Sequence, residues 1–290
     1  MIYLHLHDRL GNLLFMLAAA MHLTDEVTVF CSSGKDLEYA ERLISKFQLP
    51  ISVGNPPGNI RKHEFFFPTI YEPIGYDGCD MMLDGYFQSH KYYDRAEVLR
   101  WFRCPAELEA EIFRDWGAVF SRFKTVSVHV RRGDYLALPE RFPFVGKDYI
   151  KRAMARFKNQ NTVFVFTSDD IEWCKRHFFG PNIFYSEGND EYYDLFLASK
   201  CDHNILSNST FSYWGGELND NPDKIVIAPR RWYGPLLAKE AQAEKGSLLP
   251  AEWETVDCGW DDLPSCMLAY YRFFRCRWRD FIPSFGVSGK

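Results

Sequence analysis

Two adjacent arginines directly follow an apolar run in the middle of the chain. Residues 125–130 are mostly β-branched and apolar, which is typical of a strand buried in a parallel sheet, and Arg131, Arg132, Gly133 and Asp134 come next. Ligands of open α/β sheets bind outside the carboxyl ends of the strands, where a guanidinium group can bind phosphate through two hydrogen bonds. The segment predicts an anion site; an ordinary surface turn is the alternative interpretation.

Two other apolar runs also end in polar residues. The first is followed by Asp169, Asp170 and Glu172, and Asp169 with Glu172 has the spacing of a helix capping box, which is the structural alternative to a ligand role. The second is followed by a segment rich in hydroxyl groups that opens a helix: Ser207, Asn208, Ser209, Thr210, Phe211, Ser212. Free backbone N–H groups and the positive end of the helix dipole favour an anion there, and an ordinary N-cap is the alternative. Together with the arginines, these segments predict a diphosphate clamp.

Other phosphate-binding devices are absent from the sequence. It contains no GxxxxGK[ST] motif, no GxGxxG after a strand and no Asp-x-Asp pair, the element with which many sugar-nucleotide enzymes hold Mg²⁺ or Mn²⁺. We therefore expect the two arginines to neutralise the diphosphate, with no metal ion and no cofactor.

Strand and helix patterns alternate regularly after residue 123. Predicted strands at 125–130, 162–167, 182–185, 203–207 and 224–228 alternate with helices at 147–158, 170–178, 190–200 and 211–219, which indicates βα units and a parallel sheet. Before residue 123, strands are predicted at 2–6 and 27–31, with helices at 12–23, 36–48, 91–103 and 105–122. Residues 54–78 are the least regular, and 65–68 (FFFP) fit either a buried strand or a platform beside a site. We predict a less regular N-terminal domain at 1–123, a Rossmann-like domain at 124–262 and a tail at 263–290.

Composition narrows the class of protein. A net charge of −5 and a pI near 5.9 over 290 residues argue against nucleic-acid binding as the main role. Eight cysteines without CxxC or zinc-like spacing favour reduced thiols. No apolar run reaches the ~18 residues of a membrane span, and the first residues lack the positive charge of a signal peptide. We therefore expect a cytoplasmic protein.

The tail combines aromatic and basic residues. On a helical projection of 264–282, Phe274, Trp278 and Phe281 fall on one arc, and Arg272, Arg275 and Arg279 fall opposite. One interpretation is peripheral contact with an anionic membrane surface, at the inner face of the membrane. The other is that the arc packs against the N-terminal domain.

Five segments in order resemble glycosyltransferase family 11, the α-1,2-fucosyltransferases. HVRRGDY at 129–135 resembles the HxRRxD hallmark of that family. RLGN at 9–12, DGYFQS at 84–89, FTSDDIEWCKRHF at 166–178 and DLFLASKCDHNILSNSTFSYWGGELN at 194–219 resemble its other blocks. The resemblance spans residues 5 to 256 and implies a GT-B-like α/β fold, in which two Rossmann-type domains face a cleft.

The resemblance also implies an activity and the residues that perform it. It implies an inverting, metal-independent transfer of L-fucose from GDP-β-L-fucose to the 2-OH of a terminal galactose on a glycan acceptor. Arg131 matches the diphosphate-binding arginine, Arg132 supports it, and Asp194 matches the acid that accepts guanine N–H groups. The remaining donor-binding positions are His129, Asp169, Asn208, Ser209, Thr210 and Phe211.

The base that deprotonates the acceptor is left open by the sequence. Asp8, His7 and Asp134 are candidates, and the leaving phosphate is a fourth; Arg131, Asp134 and Asp8 form the predicted catalytic set. The chain departs from the family at Asp8 (usually Gly), Leu13 (Gln), His90 (acidic), and Tyr213 and Glu217 (Trp), which affects the prediction of the acceptor more than that of the donor. The alternatives are another GDP-sugar transferase, such as a protein O-fucosyltransferase, and a non-catalytic binding module.

Overall fold

The computed structural model describes residues 1–65, 71–157, 161–234, 237, 248–258 and 271. Five short parallel strands form the first sheet: β1 Ile2–His5, β2 Val27–Phe30, β3 Ser52–Val53, β4 Arg61–Phe65 and β5 Met81–Gly85. Their order across the sheet is β3-β2-β1-β5-β4. The chain therefore reverses its direction of winding between β1 and β5.

Six parallel strands form the second sheet: β6 Lys124–Val130, β7 Thr162–Ser168, β8 Ile183–Tyr185, β9 His203–Ile205, β10 Val226–Pro229 and β11 Glu254–Val256. Their order is β11-β10-β9-β6-β7-β8. Counted from β6, this is the 3-2-1-4-5-6 order of doubly wound dinucleotide-binding sheets. Such sheets bind ligands where the winding reverses, which here is the gap between the ends of β6 and β9.

Eight helices within the described residues connect the strands: α1 Leu10–Leu23, α2 Gly34–Phe47, α3 Arg95–Trp101, α4 Ala106–Phe120, α5 Lys147–Met154, α6 Ile171–His177, α7 Glu191–Lys200 and α8 Thr210–Glu217. α1 is apolar on nearly all sides and is buried from Leu13 to Met21, as expected of a helix enclosed by protein. It packs against α8, where the Phe15 ring lies 5.0 Å from Trp214. Both sheets therefore contribute to one continuous hydrophobic core.

The predicted fold class is confirmed, since two parallel α/β sheets face a common cleft. Predicted helices and strands occur with shifts of a few residues, whereas β3, β4, β5 and β11 were not predicted. Asp170, not Asp169, caps α6, accepting a hydrogen bond from Trp173 N at 3.1 Å.

The domain boundaries stay a prediction. Residues 66–70, and the tail apart from Tyr271, lie outside the described residues, so the membrane interpretation also stays a prediction. None of the helices described is long and apolar enough to span a bilayer.

Candidate active site

A cleft of about 570 Å³ lies between the carboxyl ends of the two sheets. Its volume falls within the range of small-molecule sites, roughly 300–1,000 Å³. The first half contributes the turn between β1 and α1, and the second contributes the segments after β6, β7 and β9, together with part of α7. Ten of the eleven predicted site residues line it: Asp8, His129, Arg131, Asp134, Asp169, Asp194, Asn208, Ser209, Thr210 and Phe211. Arg132 does not.

Two helix N-termini meet at this cleft. A Cβ atom on Gly11, in the first turn of α1, would lie 2.4 Å from Phe211 N, so only glycine allows α1 and α8 to approach this closely. Trp214 Nε1 donates to Gly11 O at 2.9 Å and fixes the contact. The side chains of the N-cap residues Arg9 and Ser209 make no capping hydrogen bond. Two positive helix ends are therefore directed into the cleft, an arrangement that favours a bound anion.

Arg131 provides the fixed positive charge beside these helix ends. Its Nη2 lies 2.7 Å from Asp134 Oδ1 and its Nη1 lies 3.0 Å from Asp169 Oδ2. Its side chain is 20% exposed, whereas Asp134 is 53% exposed and Asp169 26%. Without a ligand, therefore, the guanidinium is already held by two carboxylates, and Asp134 is the more accessible of them.

Asp169 is a positioning residue in this geometry. Its Oδ1 accepts a hydrogen bond from Arg132 N at 2.9 Å, while its Oδ2 holds Arg131. A Cβ atom on Gly133 would lie 2.6 Å from Asp169 Oδ2, so glycine at 133 leaves the room that the carboxylate needs. Both oxygens are engaged by the protein, and the contact between Asp169 and the nucleotide stays a prediction.

Arg132 points away from the cleft, which corrects the expectation that both arginines face the diphosphate. Its guanidinium lies between two aromatic rings, 4.4 Å from the centroid of Phe144 and 4.2 Å from that of Trp173. Its Nε donates to Asp170 Oδ2 at 2.9 Å. Successive residues of an extended strand point to opposite faces, and this alternation continues here for two residues past the end of β6.

His129 and Asn208 line the cleft with part of their hydrogen-bonding capacity already used. His129 Nδ1 lies 2.7 Å from Ser207 Oγ; burial, and secondarily the charge of Arg131, lowers the pKa of His129 to about 3, so its ring is neutral. Asn208 Nδ2 donates to Pro143 O and to Trp232 O, both at 2.9 Å. Its Oδ1 is buried without a partner among the described residues. Asn208 therefore holds two loops in place, and its contact with the donor stays a prediction.

Asp194 lies deep in the cleft at the start of α7. Ser186 Oγ donates to its Oδ1 at 2.6 Å. Burial raises the pKa of Asp194 to about 6, although the Ser186 hydrogen bond acts in the opposite direction. Asp190, not Asp194, caps α7 by accepting from Tyr193 N. Asp194 is therefore a half-buried carboxylate that is available to a ligand.

Asp8 is the strained residue of the cleft. Its φ is +82°, a conformation that glycine adopts readily and that costs other residues roughly 1–2 kcal/mol. This explains why the related family usually has glycine at this position. Arg9 N donates to Asp8 Oδ1 at 2.9 Å, and Asn12 Nδ2 donates to Oδ2 at 2.7 Å. The carboxylate is thus held in one orientation at the mouth of α1.

A hydrogen-bond chain links Asp8 to the opposite wall. Tyr233 OH donates to Gln88 Oε1 at 3.0 Å, and Gln88 Nε2 donates to Asn12 Oδ1 at 2.8 Å. None of these three residues was predicted as a site residue, although Asn12 and Gln88 fall within the RLGN and DGYFQS blocks. Tyr233 follows the end of β10, and a polar residue after a strand end is the same signal that pointed to the two arginines. His7 is not among the residues that line the cleft.

A second depression of about 750 Å³ lies near the edge of the second sheet. Its lining is mainly apolar and aromatic, and it includes the exposed Phe179. None of the predicted site residues borders it. The smaller cleft, with its converging charged groups and helix ends, is the candidate active site.

Comparison with known proteins places these features in context. The family model described as glycosyl transferase family 11 matches residues 46–255. The O-antigen biosynthesis glycosyltransferase WbnK of Escherichia coli is 30% identical over 217 residues, which are 66% of this chain and 70% of WbnK. An Escherichia coli alpha-1,2-colitosyltransferase is 33% identical over 162 residues, 51% of this chain and 55% of that protein.

Human galactoside alpha-(1,2)-fucosyltransferase 1 is 38% identical over 113 residues, 36% of this chain and 31% of the human protein. Among solved structures, fucosyltransferase NodZ from Bradyrhizobium aligns with a TM-score of 0.49 and 16% identity, over 74% of this chain and 92% of NodZ. POFUT1 in complex with GDP aligns with a TM-score of 0.46 and 11% identity, over 78% and 97%.

Proposed function

The chain belongs to glycosyltransferase family 11, and from this premise we propose that it transfers L-fucose from GDP-β-L-fucose to the 2-OH of a terminal galactose on a glycan, with inversion and without a metal ion. The α-1,2 linkage in the names of two relatives supports the choice of hydroxyl. The observation that carries the proposal is the convergence of Arg131 with the N-termini of α1 and α8, whose N-cap side chains make no capping hydrogen bond, at the winding reversal of the second sheet.

The donor diphosphate would bind against these groups. Arg131 offers a planar fork of N–H donors that matches two phosphate oxygens, and the amides at the start of α8 offer further donors. Asp134, the more exposed partner of Arg131, is the carboxylate that the diphosphate would displace. Asp169 would stay in place, because it also holds Arg132 N, and would keep the guanidinium oriented.

Guanine would lie towards α7. The half-buried Asp194 carboxylate can accept two N–H groups from the guanine edge, provided that it is ionised. The neutral His129 and the Phe211 ring, 5.1 Å apart, would border the nucleotide without adding charge. Breaking the bond to the sugar places negative charge on the leaving phosphate, and preorganised donors stabilise that charge more strongly in the transition state than in the ground state.

Asp8 is our choice for the base. It lies on the opposite side of the cleft from the second sheet, where an acceptor hydroxyl would approach, and two hydrogen bonds fix its orientation. Strained residues of this kind concentrate at functional sites. His7 is disfavoured because it does not line the cleft, and Asp134 because it pairs with Arg131.

A related donor is the second candidate. One relative is a colitosyltransferase, and colitose is fucose without its 3-hydroxyl group. A site that hydrogen-bonds this hydroxyl would reject the deoxy sugar by roughly 10⁴–10⁵. Comparing kcat/KM for GDP-fucose and GDP-colitose with one galactoside therefore decides between the donors.

Steady-state kinetics of two isosteric variants test the assignment. Asp8→Asn, which also tolerates a positive φ, should lower kcat by roughly 10²–10⁴ and leave GDP affinity unchanged. Asp134→Asn should retain kcat within about tenfold, a loss under ~1.4 kcal/mol, and should lower the KM for GDP-fucose because a competitor for Arg131 is weakened. The opposite pattern, with Asp134→Asn inactive and Asp8→Asn active, would make Asp134 the base.

A further inference from the structure

A second polar cluster lies outside the cleft lining, in the first half of the protein. His5 ends β1, His7 follows two residues later, and Asp84 lies near the end of β5. β1 and β5 are neighbours, and the winding of the first sheet reverses between them. The cluster therefore occupies the position in this sheet where open α/β sheets bind ligands.

The spacing of the three side chains suits one metal ion. His5 Nδ1 lies 3.1 Å and His7 Nε2 lies 3.7 Å from Asp84 Oδ1, and the three atoms all fall within 4.8 Å of one another. Ligands on a tetrahedral ion with ~2.0–2.1 Å bonds lie roughly 3.3 Å apart. Small side-chain movements would therefore bring all three atoms into coordination distance.

Ser32 and Asp84 contact the two ring nitrogens of His5. His5 Nε2 lies 2.8 Å from Ser32 Oγ, and a hydrogen bond donated to Ser32 leaves the Nδ1 lone pair directed at Asp84. His5 Nδ1 lies within hydrogen-bonding distance of Asp84 Oδ1, at 3.1 Å, and a metal ion would take the place of the proton that these two atoms otherwise share. All three side chains are only 17–24% exposed.

We propose that His5, His7 and Asp84 bind one divalent transition-metal ion of the zinc class. Two imidazoles and a carboxylate suit zinc, cobalt, nickel or ferrous iron, and they do not suit Mg²⁺ or Ca²⁺, which prefer oxygen ligands. Water would occupy the remaining position. None of the three residues lines the cleft beside Arg131, so this ion is separate from the donor diphosphate.

The ion would join the ends of two strands beside the acceptor side of the cleft. His7 immediately precedes the strained Asp8, and the His7 ring lies edge-on to Tyr86, which lines the cleft. Binding would therefore stabilise the turn into α1. This inference does not rest on the proposed function. A chelator is expected to lower the melting temperature of the protein and to leave the rate of fucosyl transfer unchanged.

Titration of the chelator-treated, dialysed full-length protein tests the proposal. In calorimetry, Zn²⁺ should bind at this site with a stoichiometry of one, and Co²⁺ should give the visible absorption of a tetrahedral nitrogen and oxygen site. His7→Gln and Asp84→Asn should each weaken Zn²⁺ binding at least tenfold. His22→Ala is the matched control, because His22 pairs with Glu97 on the surface at 2.7 Å and no third ligating side chain joins them in the part of the chain that the structure describes.

A Zn²⁺-dependent rise in melting temperature should accompany binding in the wild type and in His22→Ala, and should be absent in the two cluster variants. Circular dichroism confirms that each variant is folded; if one is not, the Co²⁺ spectrum of the wild type still decides. The proposal would be overturned by thiolate charge-transfer bands in the Co²⁺ spectrum, by no Zn²⁺ binding to the wild type, or by Zn²⁺ affinities of both cluster variants that equal the wild-type affinity.

Discussion

Replacing Arg131 by lysine should nearly abolish turnover while leaving the fold intact. The guanidinium makes two separate contacts, with Asp134 at 2.7 Å and Asp169 at 3.0 Å, and a diphosphate would use the same fork. A lysine ammonium keeps the charge but is a point donor that cannot span two oxygens in this geometry. The variant therefore separates the geometry of the clamp from its charge.

The expected loss follows from the interaction removed. A hydrogen bond to a charged group is worth about 1.5–3 kcal/mol, and losing one donor aimed at developing negative charge costs about 2.7–4 kcal/mol. The second range, which applies to the transition state, corresponds to a decrease of roughly 10²–10³ in kcat, and the effect on GDP affinity should be smaller. In addition, a lysine ammonium would neutralise the negative charge of Asp169 less completely than the guanidinium does.

Arg132→Lys is the matched control, because the two arginines are adjacent in the sequence but their side chains lie in different surroundings. Arg132 is stacked between Phe144 and Trp173 and paired with Asp170, so its replacement should cost stability. A loss of ~1 kcal/mol of stacking would lower the melting temperature by about 2–4 °C. Its kcat/KM should stay within about tenfold of wild type.

The assay is steady-state release of GDP from GDP-fucose with lactose as acceptor, with melting temperatures measured in parallel. The clamp would be refuted if Arg131→Lys kept more than about a tenth of the wild-type kcat/KM, a loss under ~1.4 kcal/mol. Equal kinetic losses in the two variants would also contradict it, because Arg131 lines the cleft and Arg132 does not.

Asp194→Asn tests the proposed guanine contact, and Gly11→Ala tests the contact between α1 and α8. GDP affinity of the wild type, measured by calorimetry, should fall as the pH drops below about 6, because protonation of Asp194 removes an acceptor. Asp194→Asn should bind GDP more weakly than the wild type. Subtracting the pH profile of this variant from that of the wild type separates the titration of Asp194 from that of GDP itself. An unchanged affinity in this variant would eliminate the guanine contact. Gly11→Ala should destabilise the protein by about 1–3 kcal/mol or more in chemical denaturation, since its Cβ would lie 2.4 Å from Phe211 N. Gly117→Ala, with no atom within 4 Å of its Cβ, should gain up to ~1 kcal/mol, and a similar result at Gly11 would contradict the contact.

The sequence predicted the second half of the fold well because its signals are local. Apolar β-branched runs alternate with amphipathic helices, and Arg131 and Ser209 each follow such a run at a strand end. A parallel sheet brings successive strand ends to one edge, so their proximity followed from topology alone. The first half was harder to predict, since β4 reads RKHEF and has the composition of a surface segment.

The finer features of the site depend on tertiary structure. Whether Arg131 or Arg132 enters the cleft depends on strand orientation at the residue where the strand ends. The need for glycine at position 11 arises from a residue about 200 positions away in the chain. The approach of His5 and His7 to Asp84 depends on the pairing of β1 with β5, although β5 was not predicted as a strand.

The linkage of the product formed in the presence of EDTA tests the proposed function most directly. Purified protein is incubated with GDP-fucose and, in turn, lactose, lacto-N-biose and N-acetyllactosamine, and the product is analysed by NMR. We predict fucose in α linkage on the 2-OH of galactose, at a rate that EDTA does not change. No product, a linkage to another hydroxyl, or a rate that collapses with EDTA and returns with Mn²⁺ would contradict the proposed function.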